Sequence, residues 1–344
     1  MFTQNEINQF HKNGIIIAKG LIRGDELLKL QNATAKVVSE GMANSPQQTD
    51  IDGPSDYLGN NKFDDHIYLV KEDGSYVYRR SERMWDRDDI FKAVTVNPEL
   101  LIHYGQLTGH AFMPMHDSFV CKIPEGDVPV LWHQDPPYCY QGWNETQGIP
   151  NIDADIYLDN STKENGCIWG IPGHHLVGHV EIENFSEEDL FNHPDVISFE
   201  AEPGDVIFHS LSAPHGSIGN KTKDLRRTFY IHFANYEVYK ECYSQDPGVK
   251  RRKDERGLFF DFNENSEKNI RDMVEKRKSM GYEIPDENII RINQQGFEFL
   301  GEPKTSLYHW NDLSSKISIQ EKRDKQQLSI LKKDQNTLSS LESQ

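Results

Sequence analysis

Four cysteines in 344 residues are too few and too scattered to staple a fold. Cys121, Cys139, Cys167 and Cys242 form no C-x-x-C pair, which argues against a disulfide framework or a thiolate zinc cage and points to reduced, intracellular thiols. Positive charge is also scarce. The chain has 37 Lys and Arg against 55 Asp and Glu, a net charge of −18 and a pI near 5.2. A surface of that sign repels phosphate backbones, so nucleic acid is not an expected partner. No apolar run approaches the roughly 18 residues that span a bilayer, which predicts no membrane segment. The opening residues, MFTQNEINQFHKNG, lack the basic-then-apolar order of a secretory signal. The expected location is the cytoplasm. Internal repeats are missing as well.

What is present is the composition of a folded enzyme, with 36% hydrophobic, 10% aromatic and 27% charged residues. The length suits one large core or two small ones. Thr3 and Glu6 have capping-box spacing, Ile7 and Phe10 share a face, and Gly14 stands where a helix would stop. Residues 15–18, IIIA, read as a strand. Leu27, Leu30, Ala33 and Val37 predict a helix over 25–40, and two more helices are expected around 87–94 and 97–108. From about 112 the texture changes to short β-like runs broken by Pro, Gly, Asn and Asp: 117–123, 154–158, 167–171, 196–201, 205–210 and 226–235. That pattern predicts an antiparallel sandwich or barrel. The expected organisation is a single domain over 1–310, with N-terminal helices at 1–111, a β-core at about 112–240 and a charged helical segment at 241–310. A polar tail, helical or disordered, follows at 311–344.

The residues that suggest chemistry begin in LWHQDPPYCY, residues 131–140. His133 and Asp135 are two apart, so in a strand they project to the same face. A third ligand is offered by residues 204–233, which contain His209 and His215. His209 alternates with Ile207 in an apolar run and reads most simply as a core histidine. His215 sits at a strand or loop edge, and Arg226 follows eleven residues later. Two histidines and a carboxylate form the facial triad of non-haem iron oxygenases, which leaves three coordination positions open. The same three residues would also serve a zinc hydrolase. A planar guanidinium on the next strand suits the distal carboxylate of a 2-oxo acid and favours the first reading.

Five ordered blocks of this chain resemble the phytanoyl-CoA dioxygenase family of Fe(II)- and 2-oxoglutarate-dependent oxygenases. They are FTQNEINQFHKNGIIIAKGLI at the start, MPMHDSFVCKIP (113–124), WHQD (132–135), ENGCIWGIPGHH (164–175) and PHGSIGNKTKDLRR (214–227). The resemblance implies a mainly β fold with flanking helices around a double-stranded β-helix (jelly-roll, cupin-like) core. It also implies Fe(II), 2-oxoglutarate and O2 as cofactor and cosubstrates, and oxidation of a small molecule with release of succinate and CO2. Carried over position by position, His133, Asp135 and His215 would bind iron. Arg226 would hold the cosubstrate carboxylate, with Met115, Arg80 and Thr228 beside it. A carboxylate at 135 argues for hydroxylation, because related halogenases have Gly or Ala there. Desaturation, epoxidation or cyclisation would use the same residues, and a non-catalytic relative is the remaining alternative.

The chain departs from the family pattern at His174, where serine is usual, and at Asp155, Ile156 and Tyr157, where the family has apolar or aromatic residues. His174, His175 and His179 are expected to support the site or face solvent. Trp132 and Trp169 are expected in the core. PPYCYQGW (136–143) reads equally well as pocket mouth or core packing, and KRRKDER (250–256) as a solvated face.

Overall fold

The computed structural model describes residues 1–43, 58–59, 66–70, 74–109, 111–135, 152–177, 182–236 and 263–302. PPYCYQGW, His179, KRRKDER and the tail at 311–344 lie outside them.

Helix α1 (Gln4–Asn13) starts where the capping box places it: the Thr3 hydroxyl accepts from the Glu6 N–H, and the Glu6 carboxylate accepts from the Thr3 N–H at 2.7 Å. It stops at Gly14, which is left-handed at φ 80°. A Cβ at Gly14 would also lie 2.6 Å from the His175 ring, so both conformation and space require glycine. Helices α2 (Gly24–Ala43), α3 (Met84–Arg87), α4 (Asp89–Thr95) and α5 (Pro98–Thr108) follow, each with an apolar stripe turned inward.

The strands are β1 (Ile15–Ala18), β2 (Leu58–Gly59), β3 (His66–Val70), β4 (Tyr76–Glu82), β5 (Phe112–Lys122), β6 (Val130–His133) and β7 (Ile152–Tyr157), followed by β8 (Ile168–Gly170), β9 (Ile197–Phe199), β10 (Val206–Ser210), β11 (His215–Ser217), β12 (Arg226–Asn235), β13 (Ile290–Asn293) and β14 (Gly296–Phe299). They form two sheets. The larger runs β1-β10-β7-β12-β5-β4-β3-β2, with β14 joined to β5 and β13 to β14; the smaller runs β6-β11-β8-β9. The pairings are antiparallel, and the two sheets form the mainly β, double-stranded β-helix core with helices on one side. Short helix α6 (Glu187–Phe191) sits beside the small sheet, where its Glu187 carboxylate accepts from the Trp132 N–H. Trp132 is buried there and Trp169 half-buried beside it.

Two regions carry more β-structure than their sequence suggests. Beyond the expected β1, the N-terminal third contributes β2–β4 to the large sheet, and among the described residues the segment after 241 ends in the β13–β14 hairpin. Helix α7 (Glu264–Ser279) precedes that hairpin and packs on α4. Its Arg277 forms a buried ion pair with Glu26 of α2, whose other oxygen accepts from Asn97 at 2.9 Å. Strand β5 begins five residues earlier than the apolar run implied. Pro114 lies opposite a register shift between His232 and Phe233, where a residue without an N–H can be accommodated.

The outer face of the large sheet packs against the helices. Phe229, Ile231 and Phe233 of β12 and Met115 and Phe119 of β5 belong to that main core, and the Phe91 ring of α4 lies 5.1 Å from that of Phe229. The inner face looks toward the small sheet and is polar. Among the described residues no helix is long and apolar enough to cross a membrane.

Candidate active site

The polar inner face follows from strand register. On β12, Arg226, Thr228, Tyr230 and His232 alternate with the core residues. His232 is paired with His116 on β5 and with Asp153 on β7, and Asp153 with His209 on β10. Tyr230 is flanked in the same way by Ser118 and Asp155. With the small sheet opposite, these rows enclose a cavity of about 230 Å³.

His133 and His215 enter it from the small sheet as direct cross-strand partners, with ring centroids 4.3 Å apart. Each places Nδ1 against the carbonyl two residues upstream, His133 on Leu131 at 2.8 Å and His215 on Ala213 at 2.9 Å. An Nδ1–H donating there leaves Nε2 as the free, lone-pair-bearing nitrogen, the tautomer a metal ligand needs. Burial, and then the neighbouring imidazoles of His133 and His209, push His215 well below the usual histidine range and keep it neutral. Asp135 is anchored by its own N–H on Leu211 O at 3.0 Å, and its Oδ1 lies 4.0 Å from His133 Nε2. Burial raises its carboxyl above the ordinary value, and Oδ2 has no hydrogen-bond partner.

One ligand atom from each of His133, Asp135 and His215 lies within 4.8 Å of the others. Two imidazoles whose Nδ1 atoms are engaged by backbone carbonyls and an orphaned carboxylate oxygen are a donor set that fits a divalent metal such as iron(II) on one face.

Arg226 stands at the far end of the same cavity and is 2% exposed. Its Nη1 donates to the Thr228 hydroxyl at 2.6 Å and its Nη2 to Gly166 O at 2.9 Å, while Nε has no partner. Gly166, from the ENG turn, is left-handed at φ 85°, and a Cβ there would strike Ile218 O, so the turn can present its carbonyl only with glycine. The guanidinium is thus held from one side with a donor left over, which suits a carboxylate. Thr228 touches Arg226 directly. Arg80 lines the cavity from β4, and its Nη2 lies 3.0 Å from Glu82 Oε1. Met115 points to the opposite face of β5, into the main core, and is not among the cavity-lining residues.

His209 is no plain core histidine. It lines the cavity with its ring 4.7 Å from that of His215 and its Nε2 3.3 Å from Asp155 Oδ2. Burial disfavours its charge, but the Asp155 carboxylate outweighs this and raises His209 to about 10; burial likewise raises Asp155 to about 6. The two form an ion pair between those values. His232 Nδ1 lies 2.8 Å from Asp153 Oδ1, a second histidine–aspartate contact. Asp153, His232 and His116 escape sequence reasoning, although DADIY and YIHF set charged or titratable residues on one face of apolar strands. His174 and His175 lie away from the cavity: His174 is buried with its ring 5.4 Å from His193, and His175 Nε2 lies 3.1 Å from His11 O.

A jelly roll whose interior holds two histidines and a carboxylate on one wall and a buried arginine on another has the build of the iron- and 2-oxoglutarate-dependent oxygenases. Residues 10–228 match the model of the phytanoyl-CoA dioxygenase (PhyH) family, and the chain belongs to that family. An Arabidopsis thaliana phytanoyl-CoA dioxygenase is 21% identical over 73% of this chain and 94% of its own length. A methylphosphonate hydroxylase of Gimesia maris is 30% identical over 36% of this chain, which spans about half of that enzyme, 55%. Among solved structures, EvdMO1 superposes with a TM-score of 0.53 at 22% identity, covering 67% of this chain and 49% of its own. EctD from S. alaskensis, solved with 2-oxoglutarate and 5-hydroxyectoine, superposes with a TM-score of 0.52 at 18% identity, covering 69% and 77%. At such identities the structural likeness establishes the fold, and the family match carries the oxygenase class.

Proposed function

We propose that this protein is an iron(II)- and 2-oxoglutarate-dependent hydroxylase of a small-molecule metabolite. The observation that carries the reading is the sharing of one cavity by the His133–Asp135–His215 donor set and the half-satisfied, buried guanidinium of Arg226. The named activity of the Gimesia maris relative, hydroxylation, supports the same outcome.

His133, Asp135 and His215 would hold the metal, and the two backbone-directed Nδ1–H groups would fix the ring orientations. Arg226 would grip the distal carboxylate of 2-oxoglutarate, oriented by Thr228 and Gly166 O. Bound iron(II) supplies the oxidation, in which 2-oxoglutarate, dioxygen and a substrate C–H become succinate, CO2 and an alcohol. The inner face contributes a walled, hydrogen-bonded pocket that positions the C–H bond and limits access of bulk water. Asp135 as a carboxylate would fill the ligand position that a halide would otherwise take, which supports hydroxylation.

The test is anaerobic addition of Fe(II) and 2-oxoglutarate, followed by admission of air. The visible charge-transfer band of the chelate is expected first, and succinate afterwards. A protein that gives neither is not this enzyme.

A further inference from the structure

Among the described residues, this cavity in a protein of net charge −18 is lined by three arginines against two aspartates. Arg226 is accounted for by the cosubstrate. Arg80 is not. It projects from β4, two strands from β12, in the row that runs Arg80, Val120, Thr228. At about 5 Å per strand its backbone is roughly 10 Å to the side of the Arg226 strand. Its Nε is buried and has no partner, while Nη2 is held by Glu82. Glu82 Oε2 also lies 3.7 Å from His116 Nε2, so the same carboxylate stands beside both side chains. Ser118 adds a hydroxyl to this wall.

A fixed guanidinium edge with a free N–H, a histidine and a hydroxyl make a binding surface for an oxyanion. An acyl chain laid there would strip water from charged groups and return nothing. Among the described residues, Val120, Val130 and Ile168 are the aliphatic side chains in the lining. We propose that Arg80, His116 and Ser118 form a second anion subsite that binds the head group of the substrate, which is therefore a small carboxylate or phosphonate. This rests on the oxygenase reading of the site and assigns Arg80 to the substrate, where the family resemblance put it beside the cosubstrate.

The holoenzyme carrying Fe(II) and 2-oxoglutarate, kept anaerobic, is titrated with inorganic phosphate and with acetate while the chelate band is followed. Saturable perturbation by at least one of the two probes is expected. Arg80→Gln should weaken that binding by about tenfold or more and leave the 2-oxoglutarate dependence of the band within about twofold; Arg80→Lys should restore part of the probe binding. In air, small phosphonates or carboxylates, and not palmitoyl-CoA, should raise succinate release. Arg80→Gln that weakens 2-oxoglutarate as much as the probe, probe binding that ignores Arg80, or succinate release driven by palmitoyl-CoA alone overturns the proposal. Loss of the chelate band in the parent protein would instead sink the oxygenase reading beneath it.

Discussion

Strand β12 has two faces with opposite tasks. Outward, Phe229, Ile231 and Phe233 are fully buried in the main core. Inward, Arg226, Thr228, Tyr230 and His232 line or support the cavity. β5 repeats the division, with Met115 and Phe119 outward and His116, Ser118 and Val120 inward. One backbone ladder holds both faces, so the apolar face stabilises a geometry that the polar face uses. The inner face is costly to build, because buried charges lose hydration and must be repaid by partners. The inner charges accordingly have a partner or an open site for one: His209 with Asp155, Asp153 beside the His232 ring, Arg80 with Glu82, and Asp135 with the metal it would bind.

If the faces are separable in this way, substitutions should sort by face. The largest effect is expected from His133→Ala. Removing a ligand should lower 2-oxoglutarate turnover by at least on the order of 100-fold, more than the loss typical of an outer-shell partner. Succinate release measures the loss, and a melting curve of the metal-free protein should remain close to the parent's. Full activity in this variant would end the ligand assignment. Phe229→Ala should do the reverse. Truncating a fully buried ring that packs on Phe91 should cost about 3–5 kcal/mol in chemical denaturation, while the folded fraction keeps its chelate band.

Asp117 sharpens the comparison, because it is a carboxylate on the apolar side of β5, where it accepts from the Trp85 N–H at 2.7 Å. Burial raises its carboxyl to about 7 from an ordinary 3.8. A folded-state value above the unfolded one means that the folded chain holds the proton more tightly. This contribution to stability is therefore complete below about pH 4, shrinks as pH rises, and is gone above about 7. Asp117→Asn, neutral and nearly isosteric, should escape the loss and gain on the parent by about 4 kcal/mol between pH 4 and pH 8. Parallel denaturation curves at the two pH values check it; an equal difference at both would show that Asp117 does not titrate in this window.

Much of this is legible in the residues themselves. Thr3, Glu6 and Gly14 mark both ends of α1, because capping is chemistry between residues a few positions apart. His133 and Asp135 share a face because strand period is two. The β13–β14 hairpin is hidden by the charge around it, although IRIN and GFEF alternate cleanly and Gly296 supplies the left-handed turn residue. Asp153, His209, His232 and His116 come from four strands far apart in sequence. Read singly, each is an unremarkable polar residue in an apolar run, and only sheet register makes them neighbours.

By itself the sequence determined the helices of the N-terminal third, most of the core strands, the family and the residue types able to hold a metal and a 2-oxo acid. These depend on short-range spacing and on motifs contained within single segments. The tertiary structure alone decided that His209 is paired with Asp155 and lines the cavity, and that Met115 faces the core. Those outcomes depend on which strands pair and in what register. That is settled by burying the apolar face of the whole sheet at once, and no local segment encodes it.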